Sequence, residues 1–90
     1  MSTTEHRPLT VKEDEVFRLV AVGLTNEQIS GHIETGVDNV KSHIRSIFGK
    51  VGANSRTQAV SLGFRKGLLD KADIDELAVS LDKSPVIVED

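Results

Sequence analysis

Val37-Asp38-Asn39-Val40-Lys41-Ser42-His43-Ile44-Arg45-Ser46-Ile47-Phe48-Gly49-Lys50-Val51 carries one unbroken helical pattern. Val37, Val40, Ile44, Ile47, Phe48 and Val51 recur at steps of 3, 4, 3, 1 and 3, which places them on a single helix face. Asn39, Lys41, Ser42, Arg45, Ser46 and Gly49 fall elsewhere around the helix, and no acidic residue occurs from Asn39 to Arg56. A buried stripe backed by a cationic, hydrogen-bonding surface is what a helix needs to lie in the major groove of DNA. An ordinary amphipathic helix with a solvated face has the same pattern. The flanking residues separate the two readings.

Upstream, Thr25 with Gln28 matches the capping-box spacing, and Ile29 and Ile33 are the buried positions of a short helix over about Asn26 to Ile33. The turn Glu34-Thr35-Gly36 joins it to the long helix, with Gly36 free to take a positive φ or to serve as N-cap. Ahead of these, Thr10 with Glu13 is a second capping box, and Leu9 is placed for a hydrophobic staple. Glu13 and Asp14 suit the positive end of that first helix. Val16, Leu19 and Val20, widened by Phe17, form its apolar stripe, and Gly23 is a natural left-handed stop. A short helix, a tight turn and a longer helix with a cationic face make a helix-turn-helix.

Downstream, the long helix ends at Gly52, and Asn54 or Ser55 can cap a fourth helix, with Ser55 and Gln58 at capping-box spacing again. Val60, Phe64 and Leu68 are expected as its buried line, ending near Gly67. Gly63 inside it costs about 1 kcal/mol relative to Ala. With Ala59 it makes a small patch that admits a second helix closely. That helix is either the first helix of the same chain or a second copy's fourth helix, and the residues leave both open. The spacing of Ile74, Leu77, Ala78 and Leu81 allows a fifth helix over Lys71 to Lys83. Ser84-Pro85 then stops it, and Val86-Ile87-Val88 is a short β-prone end.

A chain of 90 residues makes one domain with a modest core. No Cys means no disulfide staple, no thiolate zinc site and no cysteine nucleophile, and a reducing cytoplasm is compatible with that. Three Phe with no Trp or Tyr argue against an aromatic platform for single-stranded nucleic acid. The polar N-terminus does not read as a signal peptide, and no apolar run approaches transmembrane length. The net charge of −3 is unevenly placed. Residues 9–70 hold eight Lys/Arg against seven Asp/Glu, whereas residues 71–90 hold two against six. Local pattern matters more than the sum for choosing partners.

Taken together, Leu9-Thr10, Glu13, Glu15-Val16, Leu19-Val20-Ala21, Gly23 to Ile29, Val40 to Ile44, Lys50 to Ala53 and Ser55 to Ala59 resemble the LuxR-type (GerE-type) DNA-binding domain of bacterial transcription factors. The resemblance covers about residues 9–69 without a gap, leaving 1–8 as a leader and 70–90 as an acidic extension. It implies an all-α, four-helix helix-turn-helix domain whose third helix enters the major groove of double-stranded DNA. It also implies a homodimer formed through the fourth helix on a two-fold related DNA site, for which the Ala59 and Gly63 patch is the candidate contact, and a cytoplasmic, nucleoid-associated location is expected. Carried over by position, Lys41, Ser42 and Arg45 reach bases and nearby phosphates. Thr25, Asn26, Lys50 and Arg56 suit the DNA backbone, and His43 matches the family's histidine in the same helix. Arg45 has the bidentate geometry for guanine O6/N7, and Lys41 can take a base or a phosphate. Asn39 can pair with adenine or satisfy the first helical turn. His43 reads first as a polar side chain wedged at a helix junction.

The chain departs from the family where Thr35-Gly36 replaces the usual Ile-Ser, removing a core anchor and an N-cap side chain. Val37-Asp38 stands where the family usually has polar or charged residues, and Asp38 favours the helix dipole but opposes a nearby phosphate. These features and the acidic tail motivate a second reading: a protein-interaction module that keeps the fold and modulates another regulator. A tail folded back over the cationic helix is a variation on both. Only a short leader precedes the match, so an input domain is not expected within the chain, and the reading is of a stand-alone regulator. His6, His32 and His43 lack metal-ligand spacing, and Asp73, Asp75 and Glu76 lack a glycine-centred calcium loop. No phosphate loop, nucleophile elbow or catalytic carboxylate pair is recognisable, so no enzyme activity, cofactor, small-molecule ligand or membrane association is expected.

Overall fold

Side-chain caps set where the helices begin. Thr10 Oγ1 accepts the backbone N–H of Glu13 at 3.1 Å, while Thr10 N–H donates to Glu13 Oε1 at 3.0 Å. Thr25 and Gln28 repeat that reciprocal pair at 3.1 and 2.9 Å. Each box satisfies backbone donors that the first helical turn leaves free. In the computed structural model, which describes residues 8–81, these caps open α1 (Val11–Val22) and α2 (Asn26–Ile33). They are followed by α3 (Val37–Val51), α4 (Arg56–Arg65) and α5 (Lys71–Ser80), with no strand among the described residues. Gly23 and Gly52 close α1 and α3 with φ of 106° and 86°, as their positions predict.

One local expectation changes, and the structure chooses between the two roles open to Gly36. At Ser55 the box forms only by half: Ser55 Oγ accepts Gln58 N–H, but the Gln58 side chain turns to Asn54 N–H at 2.6 Å. In the α2–α3 turn, Gly36 is the N-cap with extended backbone, φ −78°, and Glu34 takes the left-handed conformation at φ 57°. Gly36 offers no side-chain cap to α3. Asn39 Nδ2 instead donates to Thr35 Oγ1 at 2.8 Å, bracing the turn against the first helical turn.

The core gathers on α1, which packs against each of the other four helices. Val16, Phe17, Leu19 and Val20 meet Ile29 of α2, Val40, Ile44, Ile47 and Val51 of α3, Ala59 of α4 and Ile74 of α5 in one buried cluster. The long helix buries the stripe expected of it, with Val37 and Phe48 half-buried at its edge. On α4 the inward line is Ala59 and Gly63, not Val60 and Phe64; Phe64 is 39% exposed. A Cβ on Gly63 would lie 2.7 Å from Phe17 Cζ and 2.8 Å from Leu69 Cδ1. The small patch is therefore filled from within the chain, and neither residue is available to a second copy. Helix α5 ends at Ser80 with Leu81 as its cap, short of Lys83. Residues 82–90, with the Ser84-Pro85 stop and the β-prone end, lie outside the described residues.

Replacing Gly63 by Ala is expected to destabilise the fold although Ala is the better helix former. The added methyl must displace a Phe17 ring that is 1% exposed, and overpacking of that kind costs about 1–3 kcal/mol. Against a helix gain of about 1 kcal/mol, thermal unfolding should show a lower Tm; an unchanged or raised Tm would contradict the packing.

Candidate nucleic-acid interface

Helix α3 is held by its two ends and along one side, which leaves a single side free. At its C-terminal end Lys66 Nζ donates to Val51 O at 2.8 Å, and Gly52 N–H closes the last turn on Phe48 O. Along one flank, Ser46 Oγ donates to Glu13 Oε2 at 2.7 Å and Lys50 Nζ to Glu13 Oε1 at 2.8 Å. Glu13 is thus both the reciprocal cap of α1 and the anchor of α3. Burial by itself would raise its pKa. The hydrogen bonds from Lys50, Ser46 and Thr10 N–H, with the Lys50 charge, outweigh that and lower it to about 2.

The opposite flank faces the N-terminal ends of α2 and α4. Arg56, the first residue of α4, donates from Nη1 to Leu24 O at 3.2 Å and from Nη2 to Asn26 Oδ1. This joins the starts of α2 and α4 beside a shallow open groove lined by Asn26, Lys41, Ile44, Arg45, Phe48 and Arg56. A second open groove continues past Thr25 and Val37. Two helix N-termini and three cations thus border one concave strip, with Glu27 as the one acid on its lining, a balance that favours an anion.

The expected site residues divide between free and engaged. Lys41, Ser42 and Arg45 are exposed and, among the described residues, have no hydrogen bond or ion pair to the chain. Thr25 is exposed but serves as the α2 cap. Asn26 and Arg56 are half-buried and bonded to each other, and Lys50 is committed to Glu13. His43 is half-buried. Asn39 is exposed with its amide on Thr35, so the cap-bracing role is the one it occupies. The expected helix over Lys71 to Lys83 packs chiefly on α1 as far as it is described, and Lys41, Ser42 and Arg45 stay uncovered by it.

By sequence Glu13 is a capping residue suited to the positive end of α1. Its grip on Ser46 and Lys50 joins residues 33 and 37 positions apart, which no local pattern reports. Asp38, which by sequence favours the helix dipole and opposes a phosphate, is spaced four and seven residues from Ser42 and Arg45, and all three lie on one exposed row.

Helices α2 and α3, joined by a short turn and leaving one cationic side of α3 open, form a helix-turn-helix unit. Residues 7–62 match the sequence profile of the bacterial regulatory proteins of the luxR family (GerE), and the chain belongs to that family, one of regulators and not of enzymes. It is 43% identical over 61 residues to the transcriptional regulatory protein YdfI of Bacillus subtilis, covering 68% of this chain and 29% of that protein. It is 38% identical over 61 residues to the response regulator Rre1 of a Synechocystis species, covering 68% of this chain and 26% of the relative. An uncharacterized transcriptional regulatory protein of Bacillus subtilis, YvfU, is 36% identical over 63 residues, 70% of this chain and 32% of its own. The chain thus spans less than a third of the length of these relatives. No solved structure matches it significantly. Helix α5 lies beyond the family match. Among the described residues no helix is long and apolar enough to cross a membrane.

The Glu13 anchor gives the fold an acid limb. A pKa lowered from 4.5 to about 2 on folding contributes stability that is complete above the unfolded value and is lost as pH falls from about 4.5 towards 2. Denaturant titrations between pH 6 and 2 should show that loss in the wild type and a flatter dependence in Glu13→Gln. Parallel curves for the two proteins would contradict the anchoring role.

Proposed function

We propose that this chain is a sequence-specific DNA-binding transcriptional regulator that reads the major groove with α3. The observation that carries the reading is the free side of α3. Lys41, Ser42 and Arg45 stand exposed and uncommitted beside a groove bordered by two helix N-termini, while every other side of the helix is packed or bonded. Family membership supports the same reading. Specificity is assigned to Lys41, Ser42 and Arg45 at base edges. Phosphate contact is assigned to Lys41 together with Thr25, Asn26 and Arg56 along the groove, where backbone N–H groups and a bonded guanidinium make a preformed seat. Lys50 is assigned to the scaffold first, since its ammonium already has a carboxylate partner. The proposal extends to DNA binding by the 90-residue chain on its own, which a binding assay with that chain tests directly.

We also propose a homodimer through the outward side of α4, now centred on Phe64 with half-buried Val60 one turn before it and Ser61 beside them. Two copies joined there bind a two-fold related site. The second reading, a module that acts on another regulator through protein contact, is favoured by the engagement of Lys50 with Glu13, which leaves one fewer free cation for phosphate.

Fragments selected from a random duplex library should yield a motif with two related half-sites. Arg45→Ala should weaken the selected site by about 1–3 kcal/mol, with a smaller loss on random DNA, if the guanidinium pairs with guanine. Binding should fall with salt at a log–log slope near 0.9 per phosphate neutralised. No retarded band at micromolar protein and low salt would favour the protein-contact reading instead. Phe64→Glu should shift a dimer to a monomer in sedimentation with helicity retained; a wild type that is monomeric both free and on DNA would remove the dimer.

A further inference from the structure

We infer that Asp38 is a base-reading residue that selects cytosine, an inference that rests on the DNA-binding reading above. Its place on α3 is the starting point. At roughly 100° per residue, Asp38, Ser42, Arg45 and Gly49 lie within about 50° of the line opposite the buried stripe of Val40, Ile44, Ile47 and Val51. All four are exposed, and Lys41 stands further round towards the α4 side. Asp38 is therefore nearer the middle of the outward row than Lys41 is. Among the described residues its carboxylate has no hydrogen bond or ion pair.

The row also has a shape. Ser42 is small and Gly49 has no side chain, so the two charged groups on it are Asp38 and Arg45. Seven residues at 1.5 Å each separate them by about 10 Å along the axis, close to three base-pair steps of about 3.4 Å. A helix lying along the groove thus brings a carboxylate and a guanidinium to base edges about three pairs apart, with nothing bulky between to hold it off.

The chemistry of the two ends is opposite. Arg45 donates, and guanine offers it O6 and N7. A carboxylate only accepts, so guanine O6/N7 and thymine O4 repel it, while the cytosine N4 amine donates to it. Adenine presents its N6 amine beside an N7 acceptor and fits less well. A phosphate is excluded altogether. The favourable alignment with the α3 dipole accounts for an acid in the first turn, but not for its lying on the outward row. Asp38 thereby lowers affinity for DNA in general while favouring one base at one position.

The test is selection from a random duplex library by the wild-type chain, Asp38→Ala and Asp38→Asn, with affinities measured on the selected site and on random DNA. The wild type should enrich cytosine about three pairs from the guanine whose preference disappears in Arg45→Ala. Asp38→Ala should lose roughly fivefold discrimination at that position alone and bind random DNA more tightly. Asp38→Asn should move the preference to adenine, whose N6/N7 edge an amide can pair with. If the wild type and Asp38→Ala select the same motif with the same preference at every position, the inference is overturned and the proposed function stands. If the wild type selects no motif at all, both fall.

Discussion

The structure depends on a buried carboxylate that serves two helices at once. Glu13 accepts Thr10 N–H to finish the α1 cap and accepts Ser46 Oγ and Lys50 Nζ to hold α3. Leaving it without those donors would place an uncompensated charge at 6% exposure, a costly state. The registry of α3 on α1 is therefore fixed by a charge that tolerates no sliding. Apolar packing alone is less selective, because Val40, Ile44, Ile47 and Val51 present similar branched surfaces one turn apart.

That requirement divides the cations. From Asn39 to Leu69 the chain has six Lys/Arg and no acid. Lys50, Arg56 and Lys66 bond within the fold, to Glu13, to Leu24 O with Asn26, and to Val51 O. Lys41, Arg45 and Arg65 are exposed, with no such bond among the described residues. The residues that build the scaffold and those that face outward are of one chemical type. Only the three-dimensional arrangement separates them.

This is also where sequence reading reached its limit. Helix starts were legible because Thr10–Glu13 and Thr25–Gln28 are local devices, complete within four residues. The α3 stripe was legible because its period is. The side of α4 that turns inward was not, because small residues rather than large ones line it: Phe17 and Leu69 supply the bulk that Ala59 and Gly63 lack. A hydrophobic count along α4 favours Val60 and Phe64, and complementarity with another helix reverses it. The same blindness made Lys50 look like a free cation, since its partner lies 37 residues away. That Lys41, Ser42 and Arg45 lie exposed was legible because the stripe fixes which residues fall away from it.

The net charge of −3 is reconciled with a polyanionic partner by where the acids sit. Glu13 is neutralised inside the fold, and Asp73, Asp75 and Glu76 lie on α5, whose main contact is α1 and not the open side of α3. At physiological salt the Debye length is about 8 Å. Charges beyond that distance from the groove contribute little to an encounter with a phosphate chain. A local run of cations can therefore govern contact while the distant acids set solubility and the sign of the sum. Glu27, on the lining of the second groove, and Asp38, on the outward row of α3, are the exceptions among them, and screening cannot remove the effect of Asp38 at base-edge distance. Its influence is accordingly on which sequence is bound, whereas that of α5 is on how the molecule behaves when none is.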